Sequence, residues 1–326
     1  MSKPRKTSWR LVLSYILDWA LMLVGGIITA SFRLLRGPKT EFSLVEPTIN
    51  FPYHPKQLIP IWLAITLSPV VPTIIILITC IVFPPSSPLP SRSSDSSSST
   101  PARKSSRSWK SRASYLHSVA LGLGYTILFA FGISNILEKF TGQPRPDLIA
   151  RCQVAPETYL DDKIMLYGAG MVSVEVCMQT DKFLLDEGWA SFPSGHSSVD
   201  FAGLTYLSLF LAHRISVIGS RNHYQGMEKP SARASQPLYK LLILFIPIAI
   251  ATGVSVTRIL DNRHHPFDVL FGSALGMGCA LLGHRAVLRP HLTSVGYRTG
   301  GENGGGEGGR RSEDLESVPL ARIERA

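Results

Sequence analysis

Six mostly apolar stretches, each near the length that a helix needs to cross a bilayer, dominate this 326-residue chain. They run approximately over Leu11–Phe32, Leu58–Phe83, Tyr115–Leu137, Ser197–Ile215, Pro237–Val256 and Val269–Val287. About 20 apolar residues span a hydrocarbon core as an α-helix. Backbone N–H and C=O groups in lipid must be satisfied within the protein, which leaves helices or a closed barrel. The stretches lack the two-residue alternation of barrel strands. The expected fold is therefore all-α: a polytopic membrane helix bundle with about six transmembrane helices. An apolar content of 45% would by itself also suit one or two soluble domains, and it is the clustering that excludes them.

The formal net charge of +10 would raise the question of nucleic acid in a soluble protein. Here the basic residues lie between and beyond the apolar stretches, where they report orientation and contact with anionic headgroups, and no nucleic-acid-binding module is present. Residues 1–10 carry Lys3, Arg5, Lys6 and Arg10 and read as a cytosolic N-terminus. The first apolar stretch is longer than a signal-peptide core and is followed by Arg33 and Arg36, which favours a retained anchor. Asp18 inside it is expected to face the bundle interior or a basic partner. Pro60, Pro69 and Pro72 predict a kinked second span. Residues 84–113, rich in Ser and Pro with Arg92, Arg103, Lys104, Arg107, Lys110 and Arg112, are expected to form a disordered cytosolic loop, and 288–326 a flexible cytosolic tail. A six-span domain over 11–287 remains.

The side that holds both termini and the Ser-rich loop collects about 21 Lys and Arg, against about 11 on the other, which predicts cytosolic termini. The end of the third span, the start of the fourth and the junction of the fifth and sixth then share the non-cytosolic face. Lys139 or Glu138, Arg145, Ser194, Gly195, His196, Arg258, His264 and Asp268 become neighbours there. Arginine forks match phosphate oxygens, and a Pro-Ser-Gly-His turn that opens a helix offers unpaired backbone N–H groups to an anion. Two histidines can supply a nucleophile and a proton donor, with Asp268 one helical turn after His264 to hold its ring. His196, His264, His265 and Asp268 could alternatively hold zinc, although Arg145 and Arg258 would then set positive charge beside the cation. The long segment before the turn contains Cys152 and Cys177, a disulfide candidate if that side is oxidising. Cys80 and Cys279 fall in apolar stretches and read as buried thiols.

These residues resemble the type 2 phosphatidic acid phosphatase superfamily, and within it the fungal lipid phosphate phosphatases related to diacylglycerol pyrophosphate phosphatase. Pro193-Ser194-Gly195-His196 matches the second of three family motifs in full. The third matches in spacing from Arg258 through His264 to Asp268, with Thr257 where serine is usual. In the first, Arg145-Pro146 matches, but the expected lysine position holds Glu138 and Lys139 comes one residue late. The resemblance covers about residues 9 to 287. It implies hydrolysis of phosphatidate, lysophosphatidate or diacylglycerol pyrophosphate within the bilayer. The catalytic residues would be His264, His196 and Asp268, the intermediate a phosphohistidine, and the phosphate ligands Lys139, Arg145, Ser194, Gly195 and Arg258. It implies a multi-pass protein of an endomembrane such as vacuole, Golgi or ER, or of the plasma membrane, with no cofactor and no metal. A non-catalytic protein that keeps the pocket to bind or move lipid phosphates is the alternative, with Glu138 as its symptom. Phosphate release that persists in excess chelator is the expected outcome; strict dependence on a divalent cation would contradict it.

Overall fold

The computed structural model describes residues 9–83, 101–160, 170–225 and 238–296. Apolar helices α1 (Trp9–Phe32), α2 (Ile61–Ile65) with α3 (Val71–Val82), α4 (Pro101–Thr141), α7 (Gly195–Gln225), α8 (Leu238–Leu260) and α9 (Pro266–Gly296) form the bundle. Three shorter pieces, α5 (Leu148–Cys152), α6 (Lys182–Asp186) and a ribbon pairing β1 (Phe42–Ser43) with β2 (Met171–Val172), belong to a cap at one end. The protein is a membrane helix bundle. Among the described residues, five stretches are long and apolar enough to cross a bilayer: Val12–Phe32, Ile61–Val82, Arg112–Thr141, Leu241–Leu260 and Pro266–Val287.

The expected fourth span is α7, and it falls short of that apolar measure because of where it sits. From Gly195 to Ile215 no residue is exposed. Surrounded by helices rather than by lipid, α7 can carry Ser197, Ser198, Asp200, Thr205 and Ser208. One core joins Ile76 and Cys80 of α3, Tyr115, Val119 and Leu123 of α4, Tyr206, Leu207 and Phe210 of α7, and Ala280 of α9. Lipid tails are as apolar as these side chains, so close packing has to hold the helices together, and small residues permit it. A Cβ at Gly203 would overlap the Ser68 carbonyl, and one at Gly276 would overlap that of Ser198. The second span carries its prolines through a π turn, Thr66–Val70, that contains Pro69. Ser68 Oγ in that turn donates to Val199 O of α7 at 2.6 Å.

Helix α1 lies at the periphery and packs on α4, with the Tyr15 and His117 rings stacked 3.9 Å apart. Asp18 is half-buried on α1 and has no ion pair among the described residues, so the expected basic partner is not found. Two segment boundaries differ from expectation. Residues 101–113 belong to α4 rather than to a disordered loop, and 288–296 belong to α9 rather than to the tail. An existing apolar helix extends into polar sequence cheaply because nucleation has already occurred, and Pro101 suits a first helical turn. Residues 84–100 and 297–326 of those two segments lie outside the described residues.

The segment between α4 and α7 has its own small core, with Phe42, Leu44, Ile49, Leu148, Ile149, Val154, Val172, Leu185 and Trp189 around Cys152. Cys152 and Cys177 are disulfide-bonded across 25 residues of sequence, whereas Cys80 and Cys279 are free and buried. Four cysteines in all give a direct check. Denatured protein should show two reactive thiols before reduction and four after it. Exchanging Cys152 and Cys177 for serine should cost about 3 kcal/mol of stability, read as a lowered thermal midpoint in detergent.

Candidate active site

Three segments meet where the cap sits on the bundle. The first is the turn before α7, which contains a cis Phe192–Pro193 bond. Its geometry is fixed from both sides: Ser191 N donates to Gln143 O at 3.1 Å, and Ser194 N donates to Asp268 O at 3.1 Å. Gly272 of α9 lets this turn approach closely, since a Cβ there would press on the Ser194 carbonyl. Ser194 caps α7 by accepting from Ser197 N at 3.5 Å and Ser197 Oγ at 3.1 Å. Its hydroxyl is therefore occupied within the helix turn.

Arg145, Gly195, His196, Arg258 and His264 line one cavity of about 190 Å³. Arg33, Gln57, Glu138, Glu187 and Arg263 share its polar wall, and Ile61, Ala64, Phe131 and Val199 contribute apolar surface. Arg33 arrives directly after α1, and the Arg258–His264 pair arrives from the junction of α8 and α9. His196 Nε2 is buried without a hydrogen-bond partner among the described residues.

His264 is held in one defined state. Its Nδ1 lies 2.7 Å from the Ser191 carbonyl oxygen, which can only accept, so Nδ1 carries the hydrogen and Nε2 keeps a lone pair. Burial, with Arg145 next in importance, holds its pKa well below the usual histidine value, so the ring is neutral. Asp268 does not touch this ring, contrary to the expectation from its four-residue spacing. Its Oδ2 accepts from Ser191 Oγ at 2.5 Å and from His265 N at 3.0 Å, and lies 3.3 Å from His265 Nδ1. Asp268 is linked to His264 only through Ser191, whose hydroxyl donates to the carboxylate and whose carbonyl faces the ring. The histidine it raises in pKa is His265, by that side-chain hydrogen bond.

The charge balance of the cavity rests on Glu187. Its Oε2 lies 3.4 Å from Arg151, 3.6 Å from Arg145 and 3.8 Å from Arg263. Burial alone would raise its pKa, but these guanidiniums outweigh that and lower it. Burial in turn lowers the pKa of Arg145, against the pull of Glu187. Arg145 Nε also donates to Ala190 O at 2.9 Å, which aims the fork. Arg258 is tied by Gln57 Oε1 at 2.7 Å, Ile59 O at 2.8 Å and Asp261 at 3.1 Å, which draws the start of the second span against α8. Thr257, in the usual serine position, accepts from Arg258 Nε at 3.2 Å, so the hydroxyl suffices there.

Lys139, Ser194 and Asp268 are not on the wall of this cavity. Lys139 lines a separate small space with Lys39, Asp186 and Trp189, because one residue of helix is a rotation of about 100°. Glu138 points inward in its place, near Arg145 and Arg33. Sequence reasoning missed Arg33, Arg263, Gln57 and Glu187 as site residues. Arg33 had a signal, since it closes the first span on the same face as the motifs. Glu187 had none, because only the folded cap brings it to the arginines.

A family model described as the PAP2 superfamily matches residues 119–291, more than half of the chain. Lipid phosphate phosphatase 2 of Arabidopsis thaliana is 34% identical over 165 residues, 51% of this chain and 49% of its own length. Diacylglycerol pyrophosphate phosphatase 1 of Saccharomyces cerevisiae is 30% identical over 175 residues, 54% of this chain and 53% of its own. Lipid phosphate phosphatase 1 of the same yeast is 27% identical over 242 residues, 74% and 75% of the two chains. The chain thus spans about half the length of the first two of these relatives. No solved structure matches it.

Glu187→Gln removes the one negative charge shared by Arg145, Arg151 and Arg263. It should cost on the order of 3 kcal/mol, measured by thermal unfolding in detergent, whereas Glu175→Gln on the exposed side of the cap should change stability by less than about 0.5 kcal/mol.

Proposed function

The chain belongs to the PAP2 superfamily, and from that premise we propose that it is an integral-membrane lipid phosphate phosphatase acting through a phosphohistidine. The observation that carries this reading is the His264–Ser191 hydrogen bond, which presents a neutral imidazole with a free Nε2 in a cavity walled by Arg33, Arg145, Arg258 and Arg263. A phosphate monoester fits that combination, because the arginines neutralise its oxygens while the uncharged nitrogen attacks phosphorus. The relatives' names, lipid phosphate phosphatase and diacylglycerol pyrophosphate phosphatase, support a lipid phosphate as substrate; phosphatidate, lysophosphatidate and diacylglycerol pyrophosphate are the candidates within that class.

In the first step, the Nε2 lone pair of His264 forms a bond to phosphorus in line with the departing ester oxygen. As that P–O bond breaks, Arg145, Arg258 and the first amides of α7 hold the equatorial oxygens. His196 is neutral in the free enzyme, its pKa lowered to about 3 by burial and then by Arg258. It takes up a proton once the anionic phosphate lies beside it, and delivers that proton to the leaving oxygen, which departs as the lipid alcohol. In the second step His196 takes a proton from water. The oxygen of that water attacks phosphorus, the P–N bond breaks and inorganic phosphate leaves, which restores neutral His264. The lipid stays in the bilayer throughout, its chains alongside the apolar part of the wall.

We also place the site on the non-cytosolic face of an endomembrane or of the plasma membrane. The Cys152–Cys177 disulfide supports this, since such a bond persists in an oxidising lumen or outside the cell. The excess of Lys and Arg on the opposite side points the same way.

Phosphate release from a panel of lipid phosphates in mixed micelles tests the reading. His264→Ala should lower turnover by at least about a thousandfold. A protein that only binds or moves the lipid would release no phosphate in either form, and that result would overturn the proposal. Two pH effects follow from the depressed pKa of His264. The base form is the one that attacks and is already dominant in the free enzyme, so the acid limb of kcat/KM due to this residue should fall below pH 6.5 once the substrate's own ionisation is allowed for. The unfolded chain takes up a proton at this histidine near pH 6.5 and the folded one does not, so stability should be lost as pH falls through that value.

A further inference from the structure

Two polar side chains of the cavity take no part in the chemistry above. Asp200 of α7 is 1% exposed and Asn135 of α4 is 2% exposed, and both line the wall. Both carboxylate oxygens of Asp200 and the Nδ2 of Asn135 lack any hydrogen-bond partner among the described residues. Buried groups of this kind are normally satisfied, and a carboxylate beside a phosphate site also repels the anion it faces.

Their position suggests what satisfies them. Asp200 lies four residues after His196 on α7, and Asn135 three residues before Glu138 on α4, so each is about one turn further into the bundle than the charged rim, roughly 4.5–6 Å along its helix. Phe131, Val199 and Ala64 lie on the same cavity wall. With phosphorus at His264, this depth receives the part of the lipid that joins headgroup to chain. An amide N–H and a carboxylate together match a group that both donates and accepts. An alcohol does so, whereas an ester carbonyl only accepts: it can meet the Asn135 N–H but leaves an ionised Asp200 without a donor. An ammonium group only donates and would leave the Asn135 N–H unpaired.

We propose that Asp200 and Asn135 form a subsite for a free hydroxyl on the lipid backbone. The preferred substrates are then lipid phosphates that keep an alcohol beside the phosphoester, such as monoacylglycerol phosphates, over fully acylated ones. This assignment rests on the phosphatase reading for its setting and adds the substrate class to it. A site that hydrogen-bonds an alcohol discriminates strongly against the analogue without it, because its own buried groups are then left unpaired.

The test compares 1-acyl lysophosphatidate with its 2-deoxy analogue in mixed micelles, using the full chain. The wild type should favour the hydroxylated substrate at least tenfold in kcat/KM, with diacyl phosphatidate ranking with the deoxy compound. In Asp200→Leu and Asn135→Leu that ratio should fall to within about twofold. Asp200→Asn, which keeps the shape, should fall between. Equal use of the two substrates by the wild type, or an unchanged ratio in the variants, overturns the subsite. The wild-type comparison needs no variant to fold. Non-hydrolysable phosphonates with and without the hydroxyl, compared by thermal stabilisation of the wild type, separate the two readings. Stabilisation that depends on the hydroxyl without turnover of any lipid phosphate would keep the subsite and end the phosphatase reading. Turnover without discrimination would do the reverse.

Discussion

Three buried guanidiniums within reach of one carboxylate are the constraint around which the outer half of this protein is built. Arg145, Arg151 and Arg263 arrive from the segment after α4, from α5 and from the α8–α9 junction; Asp147 pairs with Arg151 alone at 2.7 Å, and Glu187 is the carboxylate that reaches all three. The cap exists in the form it does to deliver that carboxylate. Trp189 Nε1 donates to Thr40 O, Lys39 pairs with Asp186 at 2.6 Å, and the disulfide ties the far end of the segment. What remains after this neutralisation is a residual positive field directed into the cavity, which suits an anionic headgroup.

Much of this was legible in the sequence. Segment lengths fixed the bundle, because the lipid interior leaves a helix few alternatives, and the Arg145, Gly195, His196, Arg258 and His264 positions fall on one wall as their shared membrane face implies. Helix α7 was legible as a helix but not as the central one. Its serines and Asp200 look out of place for a span until the surrounding helices are known to exclude lipid from every side. The spacing of His264 and Asp268 misled, since four residues make a helical turn only where both residues are helical. His264 precedes α9, and its ring turns to Ser191 instead. Lys139 failed for a related reason: α4 keeps its regular twist through Thr141, so the neighbouring residue faces the cavity.

The site is also stiff where chemistry needs stiffness. Ser191 links two of the three segments, its carbonyl holding His264 and its hydroxyl donating to Asp268. Asp268 returns the connection through its own carbonyl to Ser194 N, at the mouth of α7. His264 and the first turn of α7 are therefore positioned by a single closed circuit of hydrogen bonds, which keeps one imidazole tautomer without any carboxylate touching the ring.

The wide spacing of these parts along the chain has a consequence for biosynthesis. A ribosome that has delivered the chain through α7 has made Arg33, Arg145 and His196 but not His264, the proposed nucleophile, and the Ser191 carbonyl has no ring to hold. His264 follows α8 in the chain, so it joins those residues only after α8 has been made. On the proposed mechanism a chain stopped short of that point lacks its nucleophile, so the order of translation itself keeps half-built copies from acting on the membrane.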